Sequence, residues 1–122
     1  MTERLRIDCD GICENRSALA ADELATAAAF LRLLTPTATA SYKSPGSYGL
    51  KHDAERWGRS HGMAPYVSNG ALIAAAVALG LPIRRSRRDS PNVGVGVRLA
   101  DLSRLRAAAD LTPAGETWAG GR

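Results

Sequence analysis

YVSNGALIAAAVALG, residues 66–80, decides the fold of this chain. A polar opening, Ser68-Asn69-Gly70, runs into an almost unbroken apolar stretch over 71–79, which stops at Gly80 with Pro82 close behind. Ser68 is placed to cap a helix by accepting a hydrogen bond from a first-turn backbone N–H. Gly80 suits the left-handed position just past the last turn, and Pro82 prevents continuation. The helix so bounded is apolar all round, built of Ala with Leu72, Ile73, Val77 and Leu79, the pattern of a helix buried at the centre of a small domain. The spacing predicts a central buried helix over 69–79.

The flanking sequence supplies elements to cover it. Leu5, Ile7 and Cys9 alternate with Arg4, Arg6 and Asp8, the period of a half-buried strand, which Gly11 is expected to end. Over 19–34, Leu24, Ala27, Ala28, Leu31 and Leu34 fall on one helical stripe closed by Thr35-Pro36. Residues 35–47, rich in Thr, Ser, Pro and Gly, read as an irregular connection holding Tyr42 and Lys43. Ser47 is predicted to cap a helix over 48–57 whose Leu50, Ala54 and Trp57 share a face and which Gly58 stops.

After the central helix, 81–85 and 92–99 are extended arms around Ser86-Arg87-Arg88-Asp89-Ser90-Pro91, an arginine-rich hairpin. In its second arm Val93, Val95, Val97 and Leu99 alternate with Gly94, Gly96 and Arg98. The nearly bare glycine face lets another backbone, helix or ligand approach closely. Asp101 is expected to cap a last helix over 102–111, and 112–122 to be a loosely held tail with Trp118 as its anchor. The expected fold is α+β: one domain over 1–111, with about four helices on a small antiparallel sheet of 4–9, 81–85 and 92–98.

With 122 residues, 45% hydrophobic but only 5% aromatic, such a domain must build its core from Ala, Leu, Val and Ile. A net charge of +4 permits a nucleic-acid, nucleotide or acidic-protein partner. No apolar run approaches the roughly 20 residues that span a bilayer, and the first residues lead into no signal-peptide core. A cytoplasmic protein with no membrane partner is therefore expected, with Cys9 and Cys13 as reduced thiols.

Three constellations carry candidate chemistry. Ser47-Tyr48-Gly49 and Ser68-Asn69-Gly70 each pair a capping hydroxyl with a glycine in the first turn, where open N–H groups and the helix dipole favour a phosphate or carboxylate. Ordinary capping with glycine used for packing is the alternative. Arg84, Arg85, Arg87 and Arg88 stand on and beside the hairpin tip, suited to bidentate contact with phosphate in the manner of a winged-helix wing, or to a solvated basic turn. The apolar helix in the recognition position has no side chain to read a base edge. Lys51, His52 and Glu55, with His61 near, offer an acid–base pair or metal ligands that Cys9 and Cys13 could join, or else a surface ion pair with a hydrogen-bonded histidine. No Walker, Rossmann, G-x-S-x-G or H-E-x-x-H motif is present.

SYGLKHDAERW (47–57), YVSNGALIAAAVALG (66–80) and SPNVGVGV (90–97) resemble a loosely defined group of small proteins carried by phages and integrative elements. Its pattern is a Y-x-L-K-H-x-x-E helix, then Y-V-S-N-G opening an apolar helix, then a strand with P-N. The matching positions are Tyr48, Leu50, Lys51, His52 and Glu55, then Tyr66, Val67, Ser68, Asn69 and Gly70, then Pro91 and Asn92. The connection 58–65 is longer than in that pattern. The resemblance implies a mobile-element accessory protein acting between phage and host defence, and no reaction.

Together these readings give a non-enzymatic, cofactor-free counter-defence protein in the host cytoplasm, anti-CRISPR-like or sequestering a nucleotide signal. Its expected partner is anionic: a nucleotide, nucleic acid or nucleic-acid-binding host complex, with a homo-oligomer compatible with the sequence. The expected contact residues are Ser47, Tyr48, Lys51, His52, Ser68, Asn69, Gly70, Arg84, Arg85, Arg87, Arg88 and Asn92. A DNA-binding accessory protein with a basic wing, and a small metal- or His/Glu-dependent enzyme, are the alternatives.

Overall fold

The computed structural model describes residues 6–8, 11–13, 19–85 and 90–111, with side chains from 19 to 85 and from 90 to 108. In chain order the elements are β1 (Arg6–Asp8), β2 (Gly11–Cys13), α1 (Ala21–Leu31), α2 (Ser47–Ser60), α3 (Asn69–Ala78), β3 (Ile83–Arg85), β4 (Val93–Val95) and α4 (Leu99–Leu111). The fold is α+β, with α3 at its centre. The tail 112–122, the hairpin tip 86–89 and the Cys9 and Cys13 thiols lie outside the described residues and side chains.

α3 is bounded as its punctuation requires. Ser68 Oγ accepts from the Ala71 N–H at 3.1 Å, and Gly80 takes φ +77°, the left-handed turn past the helix end. α1, α2 and the β1–β2 hairpin all lie against it. Ala71, Leu72, Ile73 and Ala76 are consequently sealed from solvent, and the face left open is marked by half-exposed Val77. Small Ala side chains let three neighbours close on one helix, which is why an aromatic-poor sequence still forms a dense core. Phe30, fully buried, and Trp57 supply the aromatic contact between α1 and α2, with ring centroids 6.4 Å apart.

The strands pair differently from the expected three-stranded sheet. β1 turns back on β2, Ile7 opposite Ile12, so Gly11 begins a second strand instead of ending the first. β3 pairs with β4, Ile83 opposite Val95. The other edge of β4 is closed by the connection 35–46. Val95 N–H donates to Pro45 O at 2.9 Å, Thr37 N–H to Gly96 O at 2.8 Å, and single bridges join Pro36 to Val97 and Gly46 to Gly94. A strand buried as β4 is cannot leave its backbone groups unpaired, and the Pro- and Ser-rich segment satisfies them without regular strand structure. It also accounts for the glycine face: a Cβ on Gly94 would stand 3.2 Å from Ser41 O, and one on Gly96 2.8 Å from Thr37 Oγ1. A second backbone approaches there, not a ligand.

The end of α2 is also corrected. α2 continues through Gly58 to Ser60, and Gly62, at φ +70°, makes the left-handed exit. Gly58 serves the α1–α2 crossing: a Cβ there would lie 2.7 Å from Thr26 Cγ2 and 2.9 Å from the Ala64 carbonyl. Gly58→Ala should therefore lower stability by about 1–3 kcal/mol despite alanine's better helix propensity. Chemical denaturation measures this, and an unchanged or raised midpoint would show that the crossing has slack.

Asp101 lies in the first turn of α4 and reaches outside its own helix, accepting from the Thr35 N–H at 2.8 Å while Arg104 pairs with its other oxygen. Hydrogen bonds from Thr35, with Arg104 beside it, hold its carboxyl at about 2 against an ordinary 3.8. Because the folded value is the lower one, the contribution is complete above about pH 5 and disappears as pH falls towards 2. Asp101→Asn should flatten the acid side of the melting-temperature profile across that window; an acid limb parallel to wild type would assign the acid sensitivity to other carboxylates.

Candidate functional site

Residues brought together at the start of α3 come from three separate stretches of sequence. Lys51 and Glu55, one turn apart on α2, form an ion pair at 3.1 Å with both residues buried. The same Glu55 oxygen accepts from the Val67 N–H at 3.1 Å, and the other lies 3.0 Å from His52 Nδ1. Burial pushes the Glu55 carboxyl up, but the hydrogen bonds from Val67, Lys51 and His52 outweigh it and hold the group below its ordinary value. The Lys51 ammonium lies 5.5 Å from the Tyr48 ring centroid and 5.1 Å from that of Tyr66, within cation–π range of both. Tyr48 also meets His52 edge-on, centroids 4.7 Å apart.

Tyr48, Lys51, His52, Glu55, Tyr66 and Val67 thus form one physical unit that locks the approach to α3 onto α2. As a base, Glu55 is poorly disposed: both oxygens are engaged and its proton affinity is lowered. Among the described residues no group of three or more His, Cys, Asp or Glu side chains is arranged to hold a metal ion.

The hairpin joins the same end of the molecule. Asn69 Nδ2 donates to Asn92 Oδ1 at 2.8 Å, and Val93 N–H donates to Ser47 Oγ at 3.1 Å. Ser47 therefore stitches α2 to β4 instead of capping its own helix, whose cap position is Gly46 without a side-chain bond. Asn92 lies where β4 meets the tip. Arg85, across the ladder from Val93, donates through Nε to Ser90 O at 3.3 Å, and exposed Arg84 faces Gly94 in register. Arg87 and Arg88 belong to the tip outside the described residues.

The two helix starts that look alike in sequence differ in the fold. At α3, Ser68, Asn69 and Gly70 are buried, the Ser68 N–H donates to Glu23 Oε1 at 3.0 Å, and Glu55 holds the preceding N–H. Two of the protein's own carboxylates thus take the backbone N–H groups just before the first turn of α3. Glu23, from α1, carries no sequence signal for this role beyond being an acid in a first turn. At α2, Gly49 is exposed and a Cβ there would meet nothing within 4 Å. α1, α2 and the β1–β2 hairpin pack against α3, which stands against its entering a DNA groove as a recognition helix.

Comparison of the chain with models of known families, with curated proteins and with solved structures gives no match. What the site can do is therefore read from its own chemistry. Its outward side presents two tyrosine rings, each 56% exposed, and a histidine, and the strand that follows Asn92 is bonded to the same end of the fold.

Proposed function

We propose that this chain is a non-enzymatic binding protein of a phage or mobile element, acting in counter-defence by engaging an anionic partner, a nucleotide or nucleic acid, in the host cytoplasm. One observation carries the reading: the Asn69–Asn92 and Ser47–Val93 hydrogen bonds tie the arginine hairpin to the Tyr48, His52 and Tyr66 surface. Lys51 is buried in its ion pair with Glu55, so the cationic groups offered at this end of the fold are the hairpin arginines Arg84 and Arg85. Glu55 is neutralised by Lys51, and Glu23 is held by the Ser68 backbone. With a net charge of +4, the chain has the wrong sign to mimic a nucleic acid, which favours capture of the anion over occupation of a host complex's nucleic-acid groove. The mobile-element context rests on the resemblance of 47–57, 66–80 and 90–97 to phage and integrative-element proteins.

The test joins a cell assay to a binding assay. Expressed in a host with an active defence system, the chain should restore phage or plasmid propagation. Arg87→Ala with Arg88→Ala should leave the melting temperature unchanged yet weaken binding to oligonucleotides or nucleotides by about 1.5–3 kcal/mol per lost charge-assisted contact. Equal affinity before and after the double change would assign the arginines to solubility and remove the reading's main support.

A further inference from the structure

We infer that the surface takes single-stranded nucleic acid, its bases stacking on Tyr48 and Tyr66 and its phosphates lying along Arg84 and Arg85; this rests on the anion-binding function proposed above and names its substrate class. The chain has six aromatic residues, three Tyr, two Trp and one Phe. All three tyrosines are more than half exposed, at 81% for Tyr42 and 56% each for Tyr48 and Tyr66, whereas Phe30 is buried and Trp57 packs on the core. Whatever Tyr48 and Tyr66 contribute to the Lys51 cluster, more than half of each remains accessible to a ligand.

Two of them are also held in place. Tyr48 is in the first turn of α2 with His52 at its edge, and Tyr66 precedes the Val67 N–H that Glu55 anchors. The buried Lys51 ammonium lies close to both rings, so each has an inner side towards that charge and an outer side towards water. Rigid, half-exposed rings beside basic groups are the arrangement on which unpaired bases stack, a mode that tolerates any sequence because every base has a π-face. Tyr42, with Lys43 5.8 Å from its ring, follows Ser41, whose carbonyl closes on Gly94, the ladder partner of Arg84.

A duplex fits poorly. Paired bases hide their faces, and other elements pack against the helix that would enter a groove. A protein carboxylate would use the arginines but gain nothing from the rings.

The experiment measures fluorescence anisotropy of the full chain with labelled oligo-dT and oligo-U, a mixed-sequence duplex of equal length, and a labelled nucleoside triphosphate, each across a salt series. Single strands should bind at least tenfold more tightly than the duplex, and the dT and U arms tell DNA from RNA. Tyr48→Leu and Tyr66→Leu should each weaken single-strand binding roughly tenfold, whereas Tyr48→Phe and Tyr66→Phe should retain it. Arg84→Ala should reduce the salt slope by about one. Melting temperatures of every variant keep loss of fold separate from loss of stacking. Duplex binding as tight as single-strand binding, or unchanged affinity in both Leu variants, would overturn the inference. Binding of the triphosphate without binding of single strands would overturn it too while leaving the anion-binding function standing. Failure of every anion to bind would bring down both.

Discussion

Glu55→Ala is expected to destabilise the domain by about 3–5 kcal/mol, a large part of the roughly 5–15 kcal/mol that holds a domain of this size together. The reason is what the substitution leaves behind. Lys51, buried on α2, loses its counter-charge, and the buried Val67 N–H loses its acceptor. Both are largely shielded from water, Lys51 at 6% and Val67 at 0% exposure. Glu55→Gln should recover only part of the loss, because an amide oxygen can still accept from Val67 but offers Lys51 no charge. Adding Lys51→Met to Glu55→Ala should recover more, since it removes the stranded ammonium, although the Val67 N–H still lacks a partner. Denaturant titration of the four proteins reads this order directly. A loss below about 1 kcal/mol in Glu55→Ala would mean that the pair is effectively solvated and that α3 is positioned without it. The pair also predicts acid sensitivity. With its folded value lowered, Glu55 contributes fully above its ordinary 4.5 and progressively less as pH falls below it.

Ile73→Asp should unfold the chain outright. Ile73 has no exposed surface and sits on α3, which α1, α2 and the β1–β2 hairpin all pack against. A carboxylate there finds no partner, and burying it costs several kcal/mol on top of the lost apolar contact. Ile73→Val, which removes one methylene, provides the graded control at about 0.5–1.5 kcal/mol. A soluble Ile73→Asp protein melting at the wild-type temperature would place α3 at the surface and remove the architecture with it.

The same Lys51–Glu55 unit shows how much of the candidate site is legible in sequence. The spacing of Lys51, His52 and Glu55 on one helix face signals an interaction among them, and the structure supplies it. The partner that gives the cluster its purpose, the Val67 N–H, is a backbone group without any side-chain signature, and it comes from a loop twelve residues on. Glu23 is harder still to foresee: its acceptor role at Ser68 depends on α1 and α3 lying side by side. Ser47 and Asp101 are instructive in the same way. Both have the residue type of a helix cap, but each gives a side-chain oxygen to a backbone N–H on a distant strand or connection, Ser47 to Val93 and Asp101 to Thr35.

By itself the sequence determined the elements whose causes are local: the central helix from Ser68 to Gly80, the amphipathic stripe of α1, the β3–β4 hairpin and the α+β class. Helix caps, a left-handed glycine and apolar periodicity act within a turn or two of chain, so the residues carry them wherever they fold. The tertiary structure alone decided that 6–8 pairs with 11–13, that the connection 35–46 closes the edge of β4, and that Gly58 serves a helix crossing instead of a helix end. Those outcomes turn on which backbone groups are left without a partner, and on how closely two surfaces approach, once every element has been placed.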